Sequence, residues 1–225
     1  MDESKKVAII GAGGFAREVL DIFDACNEAG GCYDVLGYIV EPGFGAAGVT
    51  VNGKPILGGI DWLGRQRGDV FTICAVGAPE VRRRLVVEAL DAGARFCSII
   101  HPSVRMSRWN SIGSGVVIAA GCILTNQIRI GDHVQLNLDC TVGHDVMIGD
   151  YVTVSPGTHI SGNVTVRTGG NIGTGVNIIN RLEIGEWSVI GAGSTLIRNV
   201  PPNATVVGVP GKVVTQRQDG WYLKS

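Results

Sequence analysis

The sequence predicts two architectures in tandem: an α/β half-Rossmann domain over residues 1–100, then a left-handed parallel β-helix of hexapeptide repeats over residues 101–225. Three observations carry the prediction. Apolar runs alternate with helical periodicity up to residue 100. From residue 112 an aliphatic side chain recurs at every sixth position. With 34 glycines and only 6% aromatic residues, the core must be built from small and β-branched side chains.

In the first half, Val7–Ile10 is an apolar run that ends in Gly11-Ala-Gly-Gly14. Phe15–Ala29 follows, with Val19, Leu20, Ile22 and Phe23 at helical spacing. Val35–Val40 predicts a second strand and Val70–Val76 a third. Pro79–Ala92 predicts a helix with Val81, Leu85, Val86, Ala89 and Leu90 on one side, and Phe96–Ile100 a last short strand. Such alternation argues for a parallel sheet with right-handed crossovers. The Gly-rich segment Glu41–Gly59 has little periodicity and reads as a loop at the carboxyl edge of that sheet.

In the second half, positions 112, 118, 124 and onward to 196 are all Ile, Leu or Val, fifteen consecutive hits without an insertion. These three residue types make up roughly a fifth to a quarter of average composition, so chance does not supply the run. The next residue is often small (Gly113, Ala119, Gly131, Gly143, Gly149, Ser155, Gly173, Gly185, Gly191), which suggests a chain turning corners. Three hexapeptides close one triangular coil of about 18 residues, and successive coils stack their strands in parallel.

Composition excludes several function classes. The 19 Lys and Arg balance 20 Asp and Glu at a net charge of −1, leaving no electrostatic case for nucleic acid or an anionic membrane. No apolar run approaches the roughly 20 residues of a membrane span, and the leading segment into Val7–Ile10 is too short for a signal-peptide core. Cys26, Cys32, Cys74, Cys97, Cys122 and Cys140 are scattered without CxxC pairs, which reads as reduced thiols in a cytoplasmic protein.

Gly11-x-Gly13-x-x-Ala16 after a strand predicts a phosphate at helix N-terminal amides. The domain is about half a full dinucleotide fold, and no acidic residue stands at position 31, the next ones along the chain being Asp34 and Glu41. A diphosphate-linked sugar fits it better than NAD. Of the four histidines, His101 before Pro102 reads as structural and His133 beside Gly131-Asp132 as a surface or interface residue on a strand. His144 is followed by Asp145, a candidate base and carboxylate pair. Neighbours on a strand point to opposite faces, so Asp145 can serve only at a corner. His133, His144 and His159 do not share one 18-residue column, which argues against a three-His zinc site; no metal is expected.

Three segments together carry a family resemblance: Ile10-Gly-Ala-Gly-Gly-Phe-Ala-Arg-Glu18; His101-Pro-Ser-Val with Val142-Gly-His-Asp-Val-Met-Ile-Gly149; and Val207-Gly-Val-Pro-Gly-Lys212-Val after the hexapeptides. Over essentially its whole length the sequence resembles the hexapeptide-repeat family of bacterial sialic acid O-acetyltransferases (NeuD type) and nucleotide-aminosugar N-acetyltransferases (PglD and PerB type). The resemblance implies a cytoplasmic homotrimer that uses acetyl-CoA, with its transfer site between subunits and a nucleotide sugar held by the N-terminal domain.

Carried residue by residue, the resemblance places Gly14, Phe15 and Ala16 against the diphosphate or sugar, with Gly77 and Arg82 closing the pocket. Many relatives hold a uracil base with an Asp pair where this chain has Val40-Glu41, so UDP, GDP and dTDP all stay open. His144 is expected as general base, Asp145 as its partner and Asn137 as a positioning group. Asn126, Gly162 and Asn180 stack with His144, while Ser155, Gly173 and Gly191 continue the column of Asn137. Those small residues suggest a groove in which pantetheine lies against backbone amides, and Gly173→Leu is then expected to raise the KM for acetyl-CoA. Some relatives carry a second His nine residues after the base, where Thr153 stands here. Thr153, the Gly162 amide and His159 all remain candidates for polarising the thioester carbonyl. Lys212 is expected near a CoA phosphate, or else in a capping turn.

The unbroken register from 112 to 196 leaves no protruding loop to cover an acceptor, so the N-terminal domain must hold it. The expected activity is N-acetylation of a nucleotide-linked (UDP or GDP) 4-amino-deoxy sugar. Sialic acid O-acetylation and a non-catalytic nucleotide-sugar-binding protein are the alternatives. The tail from Gln216 carries no signal.

Overall fold

The computed structural model describes residues 4–66 and 69–224, so Met1–Glu3 of the leading segment and Ser225 of the tail lie outside the described residues. The first sheet is built from β1 (Lys5–Ile10), β2 (Tyr33–Ile39), β3 (Thr50–Val51), β4 (Lys54–Gly58), β5 (Phe71–Cys74) and β6 (Arg95–Phe96). Their spatial order is β3-β4-β2-β1-β5-β6, all parallel except the β3–β4 hairpin. Helix α1 (Gly14–Glu28) buries Ala16, Val19, Leu20, Ile22 and Phe23 on one side of the sheet. Helix α3 (Pro79–Asp91) buries Leu85, Val86 and Ala89 on the other, beside the short α2 (Asp61–Gly64).

Glu41–Gly59 is not all loop, because it carries β3 and β4, and β4 extends the sheet beside β2. Strands of two and five residues are too short to give a readable period. Phe96–Ile100 is not one strand: β6 ends the first sheet, while Ile99–Ile100 pairs with Val117–Ile118 as the first rung of the second architecture.

The rest of the chain is a left-handed parallel β-helix with three faces. The first face stacks Ile99–Ile100, Val117–Ile118, Gln135–Leu136, Thr153–Val154, Asn171–Ile172 and Val189–Ile190, and ends in the hairpin of Ala204–Val207 with Lys212–Gln216. The second face runs from Arg105–Met106 through Thr141–Val142 and His159–Ile160 to Thr195–Leu196. The third runs from Ser111–Ile112 through Met147–Ile148 to Glu183–Ile184. Partners are 18 residues apart on every face, as in Val117↔Gln135, Thr141↔His159 and Met147↔Thr165, until the last rung of the first face, where Val189↔Thr205 is 16. The second residue of each rung points inward, so the hexad aliphatics form one continuous core from Val116 to Val206.

Corners are turned three residues after each aliphatic, where φ is positive at every sixth residue from Gly115 to Gly193. The small residue directly after the aliphatic has a different task from turning. A Cβ on Gly149 would lie 2.7 Å from the amide nitrogen of Thr168, and one on Gly173 would lie 2.7 Å from that of Ala192. Close stacking of the next coil, rather than the turn, therefore excludes a side chain there.

The first face is the one covered by the α/β domain, since Ile99, Val117 and Ala119 share a core with α1. The tail also returns to this domain. A 3-10 turn at Trp221–Lys224 touches α3, with Tyr222 stacked on Trp187 at 3.9 Å between ring centres.

Candidate active site: a glycine-rich cleft and a His–Asp corner

At the carboxyl ends of β1 and β5 lies a cleft of about 450 Å³. The Gly11–Phe15 turn forms one wall, and the opposite walls are Ile39, Val40, Glu41, Phe44, Ile60, Ala75–Gly77, Val81 and Leu85. Helix α1 starts in this turn with no side-chain cap on Gly13 and no acidic residue in its first turn. Its first amides, at Gly14, Phe15 and Ala16, are therefore left as donors for an anion. A Cβ added at Gly13 or Gly77 would touch nothing within 4 Å, so both open onto free space. Glu41 stands at the rim, gripped by Arg84 through contacts of 2.7 and 3.2 Å. Phe44 is 75% exposed and overhangs the cleft from the Gly-rich loop.

Gly14, Phe15, Glu41 and Gly77 thus gather at one cleft. Ala16 was expected there too and does not line it, because its methyl is fully buried in the core. Arg82 was expected to close the pocket and does not reach it. The side chain is fully buried and donates to the carbonyls of His133 (3.0 Å), Val76 (2.8 Å), Gly77 (3.1 Å) and Tyr151 (2.7 Å), to Gln135 Oε1 (2.9 Å) and to Thr153 Oγ1 (2.9 Å). Burial pulls its guanidinium down to about 10, which leaves it charged at neutral pH. Thr153 is likewise not at an acyl-donor site: it is buried on the first face, and its hydroxyl donates to the Gly77 carbonyl at 2.7 Å. The apolar wall and Phe44 were not found from sequence. An aromatic within Pro42-Gly-Phe-Gly45 was the available signal.

The second cluster is at the corner between the second and third faces. His144 and Asp145 occupy the turn itself, and Asp145 has φ of 59°. The left-handed conformation answers the objection that adjacent residues diverge, because it brings the carboxylate back to the ring, with Nδ1 to Oδ2 at 2.8 Å. Asn and Asp are among the residues that tolerate this region best. The coils on either side hold the turn: the Asp145 amide donates to the Asn126 carbonyl at 3.0 Å, and the His144 carbonyl accepts from the Asn163 amide at 2.8 Å. The ring lies over Gly162, where a Cβ would sit 2.7 Å from both Cε1 and Nε2. Neither His144 Nε2 nor the Gly162 amide has a protein partner among the described residues. With Asp145 accepting from Nδ1–H, the Nε2 lone pair faces outward from a side chain that is 63% exposed.

Other candidate residues lie elsewhere. Asn137 is at the corner between the first and second faces, six residues of extended chain from the His–Asp corner, on the order of 15–20 Å. Its amide nitrogen donates to the Val154 carbonyl at 2.9 Å. His159 is on the second face with Nδ1 2.8 Å from Thr141 Oγ1. The amides of Gly173 and Gly191 donate to Ile190 and Val206 at 2.8 Å, and their missing side chains make room for the neighbouring coil. A groove of free amides at those two positions is therefore not present, and Gly173→Leu tests folding rather than KM. Lys212 is exposed at the start of the last strand. His133 is not a surface strand residue. It is buried at a corner, stacked on Tyr151 and edge-on to Phe96, and burial pushes its imidazole down to about 4. Among the described residues no three His, Cys, Asp or Glu side chains cluster as metal ligands.

One chain does not unite the two clusters. The domain bearing the cleft covers the first face, whereas His144 stands at the vertex opposite that face.

Residues 6–89 match the family model described as the PglD N-terminal domain. No curated protein matches. Solved structures match over nearly the whole chain. The acetyltransferase domain of PglB from Neisseria gonorrhoeae, in complex with acetyl coenzyme A, is 30% identical, covering 94% of this chain and 100% of that one at a TM-score of 0.84. A mutant of perosamine N-acetyltransferase from Caulobacter crescentus, in complex with CoA and GDP-perosamine, is 28% identical, covering 94% and 97% at 0.85. WeeI from Acinetobacter baumannii is 27% identical, covering 94% and 100% at 0.84. The chain belongs to the PglD-like family of acetyl-CoA-dependent sugar N-acetyltransferases.

Proposed function

We propose that the protein transfers the acetyl group of acetyl-CoA to the amino group of a nucleotide-linked 4-amino-deoxy sugar. The observation that carries the reading is the corner pair: an exposed imidazole whose Nδ1 is held by Asp145 while Nε2 opens toward solvent beside the unpartnered Gly162 amide. The relatives' ligands, acetyl coenzyme A in one and GDP-perosamine with CoA in another, support both substrates.

The amine lone pair attacks the thioester carbonyl carbon while His144 Nε2 takes the proton released from nitrogen. Asp145 keeps the reactive tautomer and stabilises the imidazolium. The Gly162 N–H donates to the carbonyl oxygen as it gains charge. The imidazolium returns its proton to the departing sulfur, giving the amide and free CoA thiol. In the cleft, the α1 amides take the diphosphate, Phe44 stacks on the base, and Glu41 accepts from the donor edge of the base. Lys212 meets a phosphate of CoA.

The opposite placement of cleft and base supports a homotrimer in which the cleft of one protomer faces the His144 corner of the next, with Asn137 brought to that seam by a partner. Residues 1–100 would bind the acceptor and 101–225 the donor. No helix among the described residues is long and apolar enough to cross a membrane, and the acetyl-CoA requirement, with cysteines scattered without CxxC pairs, supports the cytoplasm.

The test is thiol release from acetyl-CoA across UDP-, GDP- and dTDP-linked 4-amino sugars and free sialic acid, with wild type and His144→Ala. Turnover of one nucleotide amino sugar, reduced at least about 10²-fold in the variant, is the expected result. Turnover of sialic acid alone would replace it with O-acetylation.

A further inference from the structure

The buried guanidinium of Arg82 joins the wall of the acceptor cleft to one particular coil. That coil leaves the first face at Gln135, passes Asn137 and the His144–Asp145 corner, and returns to the first face at Thr153. Arg82 holds its start through the His133 carbonyl (3.0 Å) and Gln135 Oε1 (2.9 Å). The same side chain holds its end through the Tyr151 carbonyl (2.7 Å) and Thr153 Oγ1 (2.9 Å). Its remaining contacts are the carbonyls of Val76 (2.8 Å) and Gly77 (3.1 Å), both of which line the cleft. Two second links run alongside, from Thr153 Oγ1 to the Gly77 carbonyl (2.7 Å) and from Gln135 Nε2 to the Cys74 carbonyl (2.9 Å).

Cohesion alone does not call for this arrangement. A buried charge is expensive unless every hydrogen is bonded, and apolar packing would hold two domains together as well or better. What a planar guanidinium adds is direction, since its fork fixes the angle and height of each acceptor. Among the described residues it pairs with no carboxylate, and every acceptor is neutral.

We propose that Arg82, acting with Thr153, is a positioning residue that sets the height of the acceptor cleft against the coil carrying His144. The inference rests on the shared-site reading above. In a trimer whose β-helix axes run parallel to the threefold, equivalent coils of the three protomers lie at equal height. A cleft registered to its own His144 coil is then registered to its neighbour's. Neighbouring coils are about 4.8 Å apart, whereas reacting atoms must approach to roughly 3–3.5 Å, so a shift of even part of a coil keeps the amine from the acyl carbon.

The test compares wild type with Thr153→Val, Thr153→Ser and Arg82→Lys, using acetyl-CoA and whichever nucleotide-linked 4-amino sugar the wild type turns over. Binding of the matching nucleoside diphosphate is followed by calorimetry, and folding by thermal melting. Thr153→Val and Arg82→Lys are expected to lower kcat about 10-fold or more, with the KM for acetyl-CoA and the affinity for the nucleoside diphosphate within about twofold of wild type. Thr153→Ser, which keeps the hydroxyl, should retain wild-type kcat. If Arg82→Lys does not fold, Thr153→Val decides alone. An unchanged kcat in folded variants overturns the inference, as does a nucleoside diphosphate affinity that falls in step with kcat. Silence of the wild type on the whole panel overturns the N-acetyltransferase reading and this inference together, whereas an active wild type with unaffected variants overturns this inference only.

Discussion

Asp145 and Gly162 set the surroundings of the His144 ring, and their effects on the proposed base are separable by substitution. Asp145→Asn keeps a side chain that tolerates φ of 59° but removes the charge facing Nδ1. It should lower kcat about 10-fold with little change in melting temperature. Gly162→Ala brings a methyl to 2.7 Å from the ring edge, and the imidazole is the part able to move. A kcat reduced about 10-fold or more in a stably folded variant is expected, and an unchanged kcat would mean that the ring reacts from another position. The pair itself was legible because its two residues are adjacent in sequence and match the family's motif, although the corner they occupy was not. Arg82 was not, because its partners on the β-helix are 51 to 71 residues away and its acceptors are mostly carbonyls, which carry no residue signature. His133 shows the same limit. In sequence it is one exposed-looking imidazole beside Asp132, yet Phe96, Tyr151 and Arg82 surround it. Its folded pKa of about 4 lies below the ordinary 6.5, so the unfolded chain binds more protons between those values. The stabilisation is complete above about pH 6.5 and fades as pH falls toward 4, by about 3 kcal/mol at most. Melting curves over that range should steepen in wild type relative to His133→Asn, with Asp132, Asp150 and Tyr151 unchanged around the site.

At the scale of a coil, the hexad predicts both the core and the stacking. Its aliphatics at 112 to 196 are the inward residues of successive rungs, and the 18-residue period is the observed pairing. The purpose of the small residues was misread from sequence because nearness to the next coil is invisible along the chain. Gly173→Leu would force a side chain against the Ile190 carbonyl and the Ala192 amide. It should therefore destabilise the β-helix by about 2–4 kcal/mol, measured by chemical unfolding. A stable variant with a raised KM for acetyl-CoA would restore the groove. The β3–β4 hairpin escaped detection for a related reason: two- and five-residue strands with one buried side chain, Ile56, offer too few positions for a period.

For the whole molecule, the two architectures were legible because their periods differ so sharply. Their relative placement was not, because it depends on which face the α/β domain covers. That placement puts the cleft and the His144 corner on opposite sides of one protomer, so the proposed transfer needs a seam shared between two chains. Mixed trimers test it most directly. Gly77→Tyr fills the cleft, since a Cβ there meets nothing within 4 Å, and His144→Ala removes the base. Each variant alone should be inactive. Co-expressed in equal amounts, random trimers should recover about a quarter of wild-type activity, because half of the clefts and half of the bases are intact and they come from different chains. Recovery near that level is the predicted result. Stably folded mixed trimers with no activity would place cleft and base on the same chain and rule out the shared seam.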